Sequence, residues 1–300
     1  MKALLIVVLT LVLTSCQNQP QQAKWPLPPG VKTMAVNGYE MAYAERGSGV
    51  PVVFVHGAGV DYRYYVAQMA PFSEKYRAIS VSLRRYYPEP WRGEGDFSLN
   101  QHASDVAEFI RKLGAGPVHL VGHSRGATVA LYATRAVPDL VRTLTIAEGG
   151  TSMKAFDADN PAARDPRTDW RPTLKEKLKA GDVDGALELF QTRVNGPGAW
   201  ATTPEPIKQV LRENVWTLPA MFDDQLTWGP FSCDDSLRFN MPVLLVGADR
   251  SPPFFRVVLD NVQKCLTRSE RAIVTNSSHS MPRLNPPGFT KEVLEFVSRH

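Results

Sequence analysis

The chain has no Cys-x-x-Cys pair, and its six histidines are dispersed. No stretch therefore offers the closely spaced ligands of a structural metal site. It also lacks a basic stripe. The net charge is only +4 and the Lys and Arg residues are scattered, which leaves no electrostatic footprint for nucleic acid. The aliphatic run Ala3 to Leu13 is too short for an ordinary membrane span. Internal repeats and low-complexity tracts are absent beyond the N-terminal region. What the chain does have is apolar material. Its 300 residues, 43% hydrophobic and 21% charged, suit one large α/β domain with a buried core and an inserted lobe.

A basic start, Met1-Lys2, followed by that aliphatic run has the form of an export signal. The run ends in Leu13-Thr14-Ser15-Cys16, which resembles the lipobox of bacterial lipoproteins. The resemblance implies a signal peptide over residues 1–15, a lipid on Cys16 and attachment to a membrane of the bacterial envelope. Gln17, where an Asp would imply inner-membrane retention, implies the outer membrane, facing the periplasm. A plain cleaved signal and an uncleaved anchor are the alternatives. Residues 16–31, with their Gln and Pro, read as a flexible tether. Cys233 and Cys265 remain. A periplasmic location permits a disulfide, and their spacing leaves pairing open.

Further along, Thr33 to Val36 and Tyr39 to Glu45 flank Asn37-Gly38 and predict a hairpin. Pro51 to Val55 is a fully apolar run of the kind buried on both faces of a parallel sheet, and Val118 to Val121, Val141 to Ala147 and Val243 to Gly247 are predicted as strands beside it. Ala78 to Leu83 and Arg271 to Val274 read as further strands. Helices are predicted over Leu99 to Leu113, Ala127 to Ala136, Phe254 to Lys264 and Gly288 to Arg299. This alternation implies a mostly parallel sheet with helices on both faces. It occupies residues 32–150 and 241–300. Residues 151–240 break the rhythm, with many prolines and helices predicted over Thr173 to Ala180 and Val183 to Val194. They read as a helical cap.

Chemistry concentrates at Gly122-His123-Ser124-Arg125-Gly126, between an apolar strand and an Ala-rich helix. A serine on so sharp a turn is pushed out of the sheet, and side chains two residues to either side would clash. The stretch resembles the nucleophile elbow of the α/β-hydrolases, whose chain order is Ser, then Asp or Glu, then His. A serine hydroxyl needs a base within reach, and the base needs an acid to hold its tautomer. Asp249, after the strand ending at Gly247-Ala248, is the expected acid, and a helix-capping role is its alternative. Glu148, at the end of the preceding strand, is the reserve. His279, directly after the last strand, is the expected base. His56 and His123 read as structural, His119 as a strand residue and His102 as solvated. His56-Gly57-Ala58-Gly59 is expected to shape an oxyanion hole, with backbone N–H groups from Ala58, or else Gly59, and from Arg125.

Taken together, residues 32 to 299 resemble the α/β-hydrolase superfamily, in the branch with a helical cap between strands six and seven. The matching pieces are His56 to Gly59, Asp105, Gly122 to Gly126, Asp249, His279, Met281-Pro282 and Asn285-Pro286. One departure stands out. Many relatives carry Asp-x-x-Gly-x-Gly-x-Ser after the fourth strand, whereas this chain has Ser82-Leu83-Arg84-Arg85-Tyr86-Tyr87-Pro88. The resemblance implies hydrolysis of a small carboxylic ester or lactone through an acyl-enzyme, without metal or cofactor. A serine nucleophile argues against the dehalogenase and epoxide-hydrolase branches, which use aspartate. Perhydrolysis, C–C bond hydrolysis and non-catalytic binding by a lipoprotein are the competing readings. Trp170, Trp200, Trp216, Met221, Phe222 and Trp228 in the cap either wall a substrate pocket or form cap core.

Overall fold

The computed structural model describes residues 25–91, 93–149, 170–224 and 232–300. The signal peptide, Cys16, the first part of the tether, the start of the cap and Trp228 lie outside the described residues.

Eight strands form one sheet: β1 (Val31–Val36), β2 (Tyr39–Arg46), β3 (Pro51–Val55), β4 (Arg77–Val81), β5 (Val118–His123), β6 (Val141–Ala147), β7 (Val243–Ala248) and β8 (Ser269–Val274). Their order is β1-β2-β4-β3-β5-β6-β7-β8. The β1–β2 hairpin and the β2–β4 pair are antiparallel. Every other pairing is parallel. The central strands are apolar along their length because helices cover both faces: β3 and β5 are buried at every residue.

Helix α1 (Val66–Ser73) follows β3, α2 (Leu99–Leu113) follows β4, and α3 (Arg125–Ala136) follows β5. Ser98 caps α2 by accepting from the Gln101 N–H, and Gly114 ends it in a left-handed conformation that suits glycine. Between β6 and β7 come α4 (Arg171–Lys179), α5 (Val183–Asn195), α6 (Glu205–Glu213) and α7 (Thr217–Asp223). This helical group has its own apolar cluster, including Trp170, Leu174, Leu187, Phe190, Trp200 and Leu218. The chain then returns to the sheet through α8 (Pro253–Lys264), β8, α9 (Met281–Leu284) and α10 (Pro286–Ser298). Cys233 and Cys265 form a disulfide with Cα atoms 4.5 Å apart, tying the segment before β7 to the end of α8.

His102 departs from the expectation of a solvated residue. It is fully buried, with Nε2 bonded to the Arg84 carbonyl. It lies in the first half of α2, on the face that packs against the core, alongside Ala103 and Val106.

Candidate active site

The parallel strands end on one side of the sheet, and the loops that leave them there carry the reactive side chains. Ser124 sits between β5 and α3 at φ 54°, ψ −126°, a backbone state that L residues rarely adopt. Close packing enforces it. A Cβ on Gly122 would stand 2.4 Å from the Gly126 carbonyl oxygen, and one on Gly126 would stand 2.3 Å from that of His56. The two glycines therefore let the turn nest against the β3 end.

The Ser124 hydroxyl lies 3.0 Å from His279 Nε2. On the other side of the ring, His279 Nδ1 is 2.9 Å from Glu148 Oε2. A carboxylate can only accept from the imidazole, so Nδ1 carries the proton and Nε2 faces the serine as an acceptor. Phe255 stacks on the imidazole with ring centroids 3.8 Å apart. From behind, His123 Nε2 donates to the His279 carbonyl at 2.7 Å.

The carboxylate that meets His279 is therefore Glu148, the reserve, and not the expected Asp249. Glu148 follows β6 at φ 42° and is buried, whereas Asp249 is exposed. The Asp249 carboxylate is occupied elsewhere. Its two oxygens accept from the Asn276 and Ser277 N–H groups at 2.9 and 3.0 Å. These bonds hold its pKa below the usual carboxylate range. Asp249 thus fastens the loop that leads from β8 to His279.

Burial pushes the Glu148 carboxyl up to about 7, against the pull of two donors. These are the Ser251 hydroxyl and the Ala248 N–H, each at 2.8 Å. The other nearby histidines stay neutral because they are desolvated. Burial lowers His123 to about 3 and His56 to about 4. His56 is structural: its Nδ1 donates to the Gly57 carbonyl, and its Nε2 accepts the Leu83 N–H.

A cleft open to solvent lies over Ser124. Gly57, Ala58, Tyr64, Ser280 and Arg283 line it from the sheet side. The cap contributes Phe190, Gln191, Val194, Ile207 and Leu211. Trp170, Trp200, Trp216 and Phe222 pack within the cap cluster, and Met221 packs against the main core. None of these five lines the cleft. Arg125 opens α3, so its N–H is one of those with no carbonyl to bond within the helix. Ala58 lines the same cleft as Ser124, and a Cβ on its neighbour Gly57 would stand 3.0 Å from the Ser124 Cβ.

One contributor had no signal in the sequence. Asn195, the last residue of α5, accepts with Oδ1 from the Ser278 hydroxyl at 3.0 Å and from the Ser280 N–H at 2.9 Å. The cap thereby grips both neighbours of His279.

A family model described as "Alpha/beta hydrolase family" matches residues 52–292. A soluble epoxide hydrolase of Corynebacterium sp. is 32% identical over 297 residues, covering 88% of this chain and 95% of the relative. An (E)-2-((N-methylformamido)methylene)succinate hydrolase of Acinetobacter baylyi is 31% identical over 124 residues. That match covers 39% of this chain and 45% of the relative, so it spans less than half of the relative's length. Among solved structures, a thermophilic esterase from Thermogutta terrifontis superposes with a TM-score of 0.66 at 21% identity. It covers 90% of this chain and 97% of the esterase, a likeness of fold.

Proposed function

The chain belongs to the alpha/beta hydrolase family, and from that premise we propose that it is a serine hydrolase of carboxylic esters, lactones included. The observation that carries the reading is the unbroken contact from Ser124 Oγ through His279 to Glu148. Ser124 attacks the ester carbonyl while His279 Nε2 takes its proton. Negative charge then develops on the carbonyl oxygen, and the Ala58 and Arg125 N–H groups receive it, each such donor being worth about 3 kcal/mol. His279 returns the proton to the leaving alcohol, and water removes the acyl group by the same route. Glu148 fixes the imidazole tautomer and stabilises its transient cation.

Epoxide opening, which the name of the Corynebacterium relative suggests, suits this nucleophile poorly. A serine oxygen attacking an epoxide carbon leaves an ether, with no carbonyl for water to attack. The direct test is labelling with a fluorophosphonate probe, followed by turnover of graded p-nitrophenyl esters and simple lactones. Wild type should label and turn over, and Ser124→Ala should do neither beyond a residual rate. A variant that still labels and works would overturn the assignment.

The same reading places the enzyme on a lipid at Cys16, on the outer membrane and facing the periplasm, with residues 16–31 as tether. Leu13-Thr14-Ser15-Cys16 supports this. So does the Cys233–Cys265 disulfide, a bond that persists outside a reducing cytoplasm. Mass analysis of the N-terminus should find a lipidated Cys16 in the membrane fraction. An unmodified N-terminus in the soluble fraction would leave only a generic export signal.

A further inference from the structure

Among the described residues, the cleft over Ser124 is lined by one permanent cation and no acid. That cation is Arg283, on α9 and four residues past His279. Among the described residues, the Arg283 guanidinium has neither an ion pair nor a hydrogen bond. That is unusual beside the other half-buried arginines. Arg63 bonds Asp61 and Glu213, and Arg84 bonds Asp105 through two nitrogens. Taking a guanidinium out of water without a counter-charge is costly. Burial accordingly lowers its pKa, with only Tyr64 acting in the other direction.

Two hydroxyls stand beside it. Tyr64 OH is buried, and the Ser280 hydroxyl is its polar side-chain neighbour among the described residues besides Arg283 and Glu148. Ser280 lies next to Tyr64 on the cleft wall. The cap side of the cleft is apolar at Phe190, Val194, Ile207 and Leu211, with Gln191 as its one polar side chain among the described residues. The arrangement is a largely apolar cap wall over the catalytic groups, with a cation and two hydroxyls together on the sheet side.

We propose that Arg283, with the Tyr64 and Ser280 hydroxyls, forms an anion subsite, and that the enzyme's substrates are esters bearing a carboxylate separated from the scissile bond by an aliphatic spacer. This rests on the ester-hydrolase reading and narrows it. A guanidinium meets a carboxylate through two parallel N–H···O bonds, which supply geometry as well as attraction. The bound carboxylate provides the counter-charge that none of the described residues supplies.

The test compares mono-p-nitrophenyl esters of straight-chain diacids, from adipic to sebacic, with the matching neutral amides, in which CONH2 replaces the carboxylate. O-acetyl esters of ω-hydroxy acids and their amides cover the alcohol side. Wild type should prefer the anionic member of at least one pair. In Arg283→Met the anionic-to-neutral ratio of kcat/KM should fall about 10- to 100-fold, the usual range for losing a hydrogen-bonded charge partner. Arg283→Lys should recover part of it. Independently of any variant, the free diacids should inhibit wild type competitively and their diamides should not. A wild-type ratio near one on both sides, a ratio unchanged in Arg283→Met, or equal inhibition by diacids and diamides overturns the subsite and leaves the esterase intact. Absence of turnover on every neutral and anionic ester, together with failure to label, overturns the esterase reading itself.

Discussion

At Glu148 two requirements collide. The carboxylate must be ionised to support a cationic His279, yet burial raises its pKa to about 7. The group facing His279 is the one whose loss should matter. Glu148→Gln is expected to lower kcat by about 10³- to 10⁴-fold, as when a triad acid is made neutral and the tautomer becomes wrong. Asp249→Asn should lose far less, since the side chain does not meet His279 and an amide oxygen can still accept one of the loop N–H groups that Asp249 holds. Steady-state kinetics of the two variants decides the ranking, and the reverse order would return the acid to Asp249. The pH profile follows with a definite sign. A proton on Glu148 removes the charge that stabilises the imidazolium, so kcat/KM should climb with pH through the range in which the Glu148–His279 pair titrates. The Ser251 hydroxyl favours the ionised form by donating to Oε2. Ser251→Ala should therefore move the acidic limb to higher pH. An unmoved limb would mean that this bond does not tune the pair.

At the scale of elements, the cap is tied to the catalytic face by polar contacts. Asn214, just after α6, donates to Asp61 and accepts the Tyr87 N–H. Arg125, next to the nucleophile, pairs at 3.2 Å with Asp224 at the end of α7. Asn195 at the end of α5 holds the Ser278 hydroxyl and the Ser280 N–H. Asn195→Ala should loosen the His279 loop and lower kcat about 10-fold or more, because small misplacement of a base is costly. KM and Tm should change less. Asn195→Asp keeps the acceptor and should recover part of kcat, which a purely structural role would not predict. The readable elements were those with local causes. β3 and β7 are unbroken apolar runs, α2 has one clear apolar face, and the elbow is a steric necessity. α1 was not foreseen because Pro71 lies inside it. α6 and α7 were not foreseen because their prolines resemble loop residues; in α6 the proline sits in the first turn, where its missing N–H costs nothing. The acid could not be fixed because Glu148 and Asp249 follow neighbouring strands, β6 and β7. Only the path of the loop after β8 decides which one meets His279. Asn195 had no local signal, since its partners lie more than 80 residues away.

For the molecule as a whole, the buried histidines set the response to acid. Burial depresses His56 and His119 to about 4, His123 to about 3, and His102 well below its ordinary value. In the unfolded chain each takes up a proton near its reference value of 6.5. Between that value and the folded one, the unfolded state binds more protons, so stability falls as pH falls, by about 1.4 kcal/mol per pH unit for each group. Glu148 works in the opposite sense. Its folded pKa lies above the reference 4.5, so acidification from about 7 to 4.5 favours the folded state at this one site. Four imidazoles outweigh one carboxyl. Tm should therefore drop steadily from about pH 6.5 to 4.5, before the exposed carboxylates titrate. His119 is suited to checking the cause. It lies within β5, where Nδ1 contacts the Thr143 hydroxyl at 2.8 Å, and it does not line the cleft. Replacing it with Asn removes one titrating group, so the decline in Tm should become shallower while the acidic limb of kcat/KM keeps its position. A Tm that is level down to pH 4.5, or a slope identical in wild type and His119→Asn, would show that these imidazoles do not govern acid stability.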